Sequence, residues 1–226
     1  MSLIINIDST SATAIVNIAD NGVVLFEETN AEQNNHAAFL QPAIQMVAKK
    51  AGITLQEIDA VSVSHGPGSY TGIRVGMAAA KGLSYALSKP FVTVNQLEVL
   101  AKDVIDNTPA TGEEFLYCPM IDARRMEVFT ALYDKSISEV LSPSALIIDE
   151  SSFSKILLKN KVIFFGSGAG KWQQLCTQEN ALFASTINKG LALSRLAFKK
   201  FSKSQFADIA YAEPLYIKEF FDNANA

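Results

Sequence analysis

The chain has 226 residues, of which 49% are hydrophobic and 19% charged, and its formal net charge is −4. This composition excludes a disordered chain and is typical of a globular protein with one large domain or two small ones. The acidic balance disfavours direct binding of nucleic acid by the chain alone, so such binding would need a local patch or a partner.

The ends and the sulfur-containing residues give little sign of export or metal binding. The apolar run at residues 3–7 stops at Asp8 without a preceding basic segment. It is therefore neither a signal peptide nor a membrane span, and we expect a cytoplasmic protein. Cys118 and Cys176 lie far apart and in no metal-binding spacing, so we expect two buried, reduced thiols. The two histidines, His36 and His65, have no partner at helical spacing, which argues against a histidine-based zinc site.

The first half predicts three strands, then a helix, a strand, a helix, a strand and a further helix. Asn21-Gly22 separates the second and third strands and favours a hairpin turn, because both residues tolerate positive φ. Apolar residues at helical spacing predict a helix over about 31–50, and a second helix follows over about 71–87.

The second half repeats this plan. Asp122 follows Asp8, and Asp134 follows Asp20, at the same separation of 114 residues. A strand running into Gly166-Ser167-Gly168 then matches the strand that runs into the Gly-Pro-Gly turn of the first half. An internal duplication explains the shared order better than coincidence does.

We therefore predict an α/β, actin-like (ASKHA, ribonuclease-H-type) fold of two duplicated lobes. The N-terminal lobe would span residues 1–106, completed by a C-terminal helix over about 208–226, and the C-terminal lobe would span 107–207. The polar stretch at 106–114 is rich in turn-forming residues and would join the lobes. Proteins of this architecture usually bind a nucleotide between the lobes, but fold analogy alone does not give function. Since the sequence marks no nucleotide pocket, we expect a shallow or blocked cleft.

Three turns are candidates for anion or metal chemistry. Asp8-Ser9-Thr10 ends the first strand, where an acidic residue could hold Mg²⁺ through water, or the side chains could simply cap their own turn. The usual phosphate-turn glycine is absent, and we favour the turn. Gly66–Ser69 could bind an anion at a helix N-terminus or form a tight strand-to-helix turn, which we favour. Arg124-Arg125 could bind a phosphate or a carboxylate, and we favour an internal pair with Asp122.

The helix that starts near Thr71 carries an unusual stripe of small residues. Gly72, Gly76, Ala79, Leu83 and Ala86 recur on one face, and a second apolar face lies beside it. Small residues let another helix approach closely. A helix apolar on two faces is either fully buried or half buried and half in an interface, and both alternatives stay open here.

Five segments together resemble the bacterial TsaB (YeaZ) family of tRNA threonylcarbamoyladenosine biosynthesis, which is also called glycoprotease-like. They are IDST, HGPGSYTGIRVGMAAAKGLSYAL, IDARRMEVFTALYD, GSGAG and AEPLYIKEF, in this order along nearly the whole chain. The second and third segments are much more specific than a lone glycine motif.

The resemblance implies a non-catalytic subunit. Its partner would be TsaD, a larger paralogue that transfers a threonylcarbamoyl group to the adenosine beside the anticodon of tRNAs reading ANN codons. TsaD holds its metal with two histidines four residues apart, and here Gln96 and Leu100 stand in their places. Leucine cannot ligate and glutamine is a poor ligand for a transition metal, so the resemblance implies no metal, no cofactor and no catalytic residue.

The resemblance also implies how the chain associates. TsaB proteins pair with TsaD, or with themselves, through the first two helices of the N-terminal lobe. An ATPase, TsaE, would join through the complex, and tRNA would be contacted only through it. The expected interface residues are His36, Phe39, Leu40, Gly72, Gly76, Ala79 and Leu83. The alternatives are a metal-dependent glycoprotease-like peptidase and an ATP-binding actin-like kinase, for which Asp8, Ser9 and Thr10 would be weak candidate site residues.

Overall fold

The computed structural model describes residues 1–32, 35–109 and 112–218, and these residues form two five-stranded sheets. The first sheet has the order β3-β2-β1-β4-β5 and contains β1 (Leu3–Asp8), β2 (Ala14–Asp20), β3 (Val23–Asn30), β4 (Ala60–Ser64) and β5 (Phe91–Val94). The second has the order β10-β9-β6-β7-β8 and contains β6 (Phe115–Asp122), β7 (Glu127–Tyr133), β8 (Glu139–Ile147), β9 (Lys161–Phe165) and β10 (Ala181–Phe183).

The two sheets have the same topology. In each, the first strand pairs antiparallel with the second and parallel with the fourth, and the remaining strands extend both edges in the same sense. The hairpin turn between β2 and β3 has positive φ at Asn21 and Gly22, as the sequence predicts. The predicted α/β fold of two duplicated actin-like lobes is confirmed.

The described residues form six α-helices: α1 (His36–Ala51), α2 (Tyr70–Leu87), α3 (Gln96–Asn107), α4 (Ser154–Leu157), α5 (Ala169–Gln173) and α6 (Lys189–Ser202). Helices α1 and α2 lie together on one face of the first sheet, over the side chains of Ile5, Ile7 and Val63. Helix α3 packs on β6 of the second sheet.

Helix α6 lies on the first sheet, although the predicted division assigned residues 107–207 to the C-terminal lobe. It covers the face opposite to α1 and α2, where Leu193 and Ala197 contact Ile4 and Val92. The physical reason is that β1, β4 and β5 are buried on both faces, and the apolar side chains of Ile4, Val92 and Val94 on the second face need a covering helix. The chain therefore returns to its first half before it ends.

The helix predicted over about 208–226 is absent from residues 208–218, which form a turn and an extended segment, while 219–226 lie outside the described residues. The N–H of Ala207 donates to the carbonyl of Phe91 and the N–H of Leu215 to that of His65, each over 2.8 Å. Pro214 supplies no N–H and disfavours a helical conformation at the preceding residue. These bonds hold the segment against the first sheet, and we call residues 208–218 the C-terminal strap.

Both cysteines are free thiols in the structure. Burial raises the pKa of the Cys118 thiol to about 12, so this thiol stays protonated and unreactive at neutral pH. Across the described ranges, none of the helices combines the length and hydropathy needed to cross a membrane.

Candidate functional site

A cleft of about 890 Å³ opens between the two lobes. It is lined from the first lobe by residues 10–13 and 68–71 and from the second by residues 121–124, 166–167 and 184–186, with Gln96 and Lys189 also on its wall. The expectation of a shallow or blocked cleft is therefore wrong. The two strand-end turns of the duplicated lobes face each other across open space.

Asp8 lies behind the wall of this cleft, bonded to Thr10 and Gln96, which do line it. Its side chain is buried, and Oδ1 accepts hydrogen bonds from the N–H of Thr10 (2.9 Å) and from Thr10 Oγ1 (2.6 Å). Oδ2 accepts a bond from Nε2 of Gln96 over 3.2 Å. Ser9 is also buried and donates to the carbonyl of Gly72. The geometry supports the turn interpretation over a water-mediated Mg²⁺ site.

Gln96 and Leu100, on α3, occupy two adjacent turns of one helix face. Oε1 of Gln96 accepts a hydrogen bond from Ser64 Oγ over 2.6 Å, so its amide joins Ser64 to Asp8. Leu100 packs in the apolar cluster between α3 and the second sheet. Within the described part of the chain, no three His, Cys, Asp or Glu side chains are grouped so that they could hold a metal ion.

Asp122 forms the equivalent turn in the second lobe. Its Oδ1 accepts from the N–H of Arg124 over 2.6 Å, as Asp8 accepts from Thr10. Its ion pair is with Lys171 Nζ at 2.7 Å, so the predicted pairing with an arginine side chain is wrong. Burial opposes the shift, but the bonds from Lys171 and Arg124 hold the pKa of Asp122 below its usual value. Arg124 and Arg125 adopt positive φ, which turns the chain sharply towards β7.

The Gly-Pro-Gly turn packs against the loop between β1 and β2. Gly68 has a φ of 159°, and a Cβ there would lie 2.3 Å from the carbonyl oxygen of Thr10. The N–H of Ser69 donates to that same carbonyl over 2.7 Å, and Ser69 Oγ accepts from the N–H of Gly72 as the N-cap of α2. The favoured interpretation as a tight strand-to-helix turn is supported.

Four of the seven expected interface residues are buried against other parts of this chain. His36 and Leu40 are 4% and 1% exposed, and Nε2 of His36 lies 3.2 Å from the carbonyl oxygen of Ala12. Gly72 and Gly76 face the β1–β2 loop: a Cβ at Gly72 would lie 1.9 Å from the carbonyl oxygen of Ser9. The glycine stripe therefore allows this loop, rather than a second protein, to approach α2.

A different stripe of α2 faces outwards. Ala78 and Gly82, four residues apart, are exposed, as is Ala86 of the predicted stripe, and among the described residues a Cβ at Gly82 would meet nothing within 4 Å. We call the α1–α2 face the outward surface formed by Phe39, Pro42, Met46, Ala78, Ala79, Gly82 and Leu83. It keeps three of the expected residues, namely Phe39, Ala79 and Leu83, which are partly exposed. Pro42, Met46, Ala78 and Gly82 were not predicted from the sequence, although the spacing of four between Ala78 and Gly82, and between Pro42 and Met46, is visible there.

Comparison with known proteins places the chain in a family. A family model described as "TsaD: tRNA N6-adenosine threonylcarbamoyltransferase" matches residues 24–212. The chain belongs to the TsaD family. The relatives named TsaB and YeaZ confirm the resemblance to the TsaB (YeaZ) family that the sequence motifs indicate.

Two curated relatives and one solved structure illustrate the similarity. The chain is 33% identical to the "tRNA threonylcarbamoyladenosine biosynthesis protein TsaB" of Bacillus subtilis over 132 residues, which cover 58% of this chain and 54% of the relative. It is 24% identical to the protein of the same name from Escherichia coli over 190 residues, or 81% of this chain and 80% of that one. The matched stretch thus spans about half of the first of these relatives.

The structure of YeaZ from Pseudomonas aeruginosa superposes on 96% of this chain and on all of that chain, with a TM-score of 0.78 and 22% identity. At this level of identity the superposition shows the fold alone.

Proposed function

We propose that this chain is a non-catalytic partner of TsaD. It would act as a scaffold or activator in the threonylcarbamoylation of the adenosine next to the anticodon of tRNAs that read ANN codons. The names of its two curated relatives support a role in this process, since both are called "tRNA threonylcarbamoyladenosine biosynthesis protein TsaB". The family model supports a common origin with the transferase itself.

The observation that carries the proposal is the environment of Gln96 and Leu100. The resemblance to TsaD implies that these two residues stand where its metal-binding histidines would be. The side-chain amide of Gln96 is hydrogen-bonded to Ser64 and Asp8, and Leu100 is a core residue that contacts the second sheet. A side chain that completes a buried hydrogen-bond network, beside one that is pure hydrocarbon, supports a structural role for this segment. The same observation argues against the peptidase alternative.

The α1–α2 face supports a role in assembly. Two neighbouring helices present small and apolar side chains to solvent, and Met46 and Tyr85 are 44% and 78% exposed. Exposed apolar surface on adjacent elements is typical of protein contacts, and small residues let a partner helix approach closely. We place the contact with TsaD here, and a contact between two copies of the chain would use the same surface.

The experiment is reconstitution with TsaD and TsaE from the same organism. Threonylcarbamoyladenosine on tRNA is measured by mass spectrometry with each protein alone and with all three together. We expect no product from this chain alone, a stoichiometric complex with TsaD, and modification only when both are present. Undiminished modification without this chain, or modification by this chain alone, would contradict the proposal.

The open cleft supports a second candidate function, nucleotide binding between the lobes. Its volume of about 890 Å³ is in the range of small-molecule sites, and hydroxyl side chains and Lys189 line it. Calorimetric titration of ATP with Mg²⁺ into the isolated chain tests this function. Micromolar binding that Lys189→Ala weakens would support it, and no heat of binding would exclude it.

A further inference from the structure

A preordered arginine lies at the edge of the α1–α2 face. Arg74 is an exposed residue of α2, one turn before Ala78. Its guanidinium stacks 3.8 Å from the ring centroid of Tyr70, and its Nε donates to Tyr216 Oη over 2.7 Å. The two tyrosine rings lie 5.5 Å apart. The side chain is therefore held in one place, although it is open to solvent.

The two helices of this face carry no acidic residue at all. Helix α1 and helix α2 together contain four cations, Lys49, Lys50, Arg74 and Lys81, in a chain whose net charge is −4. Lys50 pairs with Glu28, and Nζ of Lys81 donates to the carbonyl of Ala212. Arg74 has no ion pair within the described residues, so its charge remains available to a partner.

A groove of about 430 Å³ lies beside Arg74, between α2 and the C-terminal strap. Arg74, Met77, Ala78 and Lys81 form one wall, and residues 212–214 with Tyr216 form the other. Glu213 supplies one carboxylate on the strap side, whereas the α2 wall carries the cations Arg74 and Lys81. Because Ala78 belongs both to this wall and to the α1–α2 face, the groove is continuous with that face. An acidic side chain that reaches over Ala78 would enter this groove.

We infer that Arg74 is the anchor that binds a carboxylate of the docked protein, and that the partner surface which meets the α1–α2 face is acidic. This inference rests on the proposed function and names the chemistry of its interface. A guanidinium offers five N–H donors in a rigid fork, and its contacts with Tyr70 and Tyr216 leave part of that fork for a carboxylate. Arginine and tyrosine are the residues most often found at energetic centres of interfaces. Holding Arg74 in place before docking reduces the entropy lost on binding.

A second copy of the chain fits this face less well than a protein with an acidic surface does. Two copies related by a twofold axis would bring their acid-free helix pairs together, and Glu213 is the one carboxylate among the groove residues that could meet the other copy's Arg74. The occupant that satisfies Arg74 is therefore a different protein with acidic side chains.

The test measures the affinity of TsaD for purified variants of the full chain by calorimetry, together with the self-association of each variant by ultracentrifugation. We expect Arg74→Glu to weaken binding about tenfold or more, and Arg74→Lys to weaken it less because the charge remains while the fork is lost. Tyr216→Phe keeps the ring and removes the hydroxyl, and we expect a loss of about threefold. The matched control is Lys159→Glu, which reverses an exposed cation of the second lobe and should leave the affinity unchanged.

The salt dependence of the affinity for TsaD separates a lost charge from lost packing, because lost packing alone would not change it. Affinity of the unmodified chain should fall between about 50 and about 500 mM NaCl, and Arg74→Glu should flatten this fall while Tyr216→Phe preserves it. Circular dichroism checks that each variant is folded.

The outcomes separate the inference from the proposed function. If the unmodified chain does not bind TsaD, the proposed function is overturned and the inference with it. If the chain binds but Arg74→Glu binds equally well, or if Arg74→Glu changes only self-association, the inference alone is overturned.

Discussion

Nε2 of Gln96 donates a hydrogen bond to Oδ2 of Asp8 over 3.2 Å, between two side chains that are each 1% exposed. Asp8 ends the first strand and Gln96 begins α3, so the bond joins two elements that are 88 residues apart. Ser64 completes the network from β4. A carboxylate that could serve an active site thereby fixes the start of α3 against the end of β1.

Replacing Gln96 by leucine should destabilise the fold. The change leaves Ser64 Oγ without its acceptor and Asp8 Oδ2 without its side-chain donor, both in buried positions. We expect a loss of about 2–3 kcal/mol in the free energy of unfolding, measured by urea denaturation. Gln45→Leu, at an exposed position of α1, is the control and should change stability by less than about 0.5 kcal/mol. Equal effects of the two changes would refute this role of Gln96.

Two glycines of α2 should respond oppositely to alanine. A methyl group at Gly72 would lie 1.9 Å from the carbonyl oxygen of Ser9, whereas one at Gly82 would meet nothing within 4 Å. We expect Gly72→Ala to cost about 3 kcal/mol or more, because backbone must move. Gly82→Ala should stabilise the chain by about 0.5–1 kcal/mol, because alanine is the better helix former. Thermal unfolding of both variants tests whether α2 turns Gly72 inwards and Gly82 outwards.

Ala78→Glu should prevent binding of TsaD without unfolding the chain. Ala78 lies on the α1–α2 face beside Arg74, where a longer acidic side chain adds both bulk and the wrong charge. We expect a loss of about 2 kcal/mol or more in binding free energy, measured by calorimetry. The control is Leu158→Glu, which changes a side chain that is 79% exposed in the second lobe. Binding that tolerates Ala78→Glu would remove the α1–α2 face from the interface.

Protonation of His65 should destabilise the folded chain. Burial lowers the pKa of His65 below its ordinary value of 6.5, although Nδ1 lies 2.9 Å from the carbonyl oxygen of Val94, a contact that favours the charged form. Because the unfolded state then binds the proton first, stability is complete above about pH 6.5 and falls as the pH drops below it. We expect His65→Gln to flatten this fall between pH 7 and pH 5 in urea denaturation.

Nuclear magnetic resonance gives the direct check, because the imidazole signals of His65 should titrate below the ordinary histidine range. A titration at or above 6.5 in the folded chain would contradict this account of the site.

Much of the fold follows from local chemistry. The Asp8 and Asp122 turns have the same hydrogen bond from the carboxylate to the second following N–H, and the sequence shows them at equal spacing in both halves. The hairpin at Asn21-Gly22 likewise depends only on residues that tolerate positive φ. Features of this kind need no knowledge of distant neighbours, so the duplication could be predicted from the sequence.

The candidate surface could be predicted only in part. Helix α2 is apolar around most of its circumference, and periodicity cannot tell which apolar face turns inwards. The structure decides it through the Ser9 carbonyl, which needs Gly72 beside it and leaves Ala78 and Gly82 outside. The anchor at Arg74 depends on Tyr216, which lies 142 residues further along the chain.

The sequence by itself determined the two strand–helix repeats and their equivalent aspartate turns, and it shows Gln96 and Leu100 where the resemblance to TsaD would imply histidines. Only the tertiary structure decided that α6 returns to cover the first sheet, that an open cleft separates the lobes, and that α2 turns Gly72 inwards and Gly82 outwards. The difference is physical: turns and periodicities are set by neighbours along the chain, whereas the face that a helix buries is set by the shape of what it packs against.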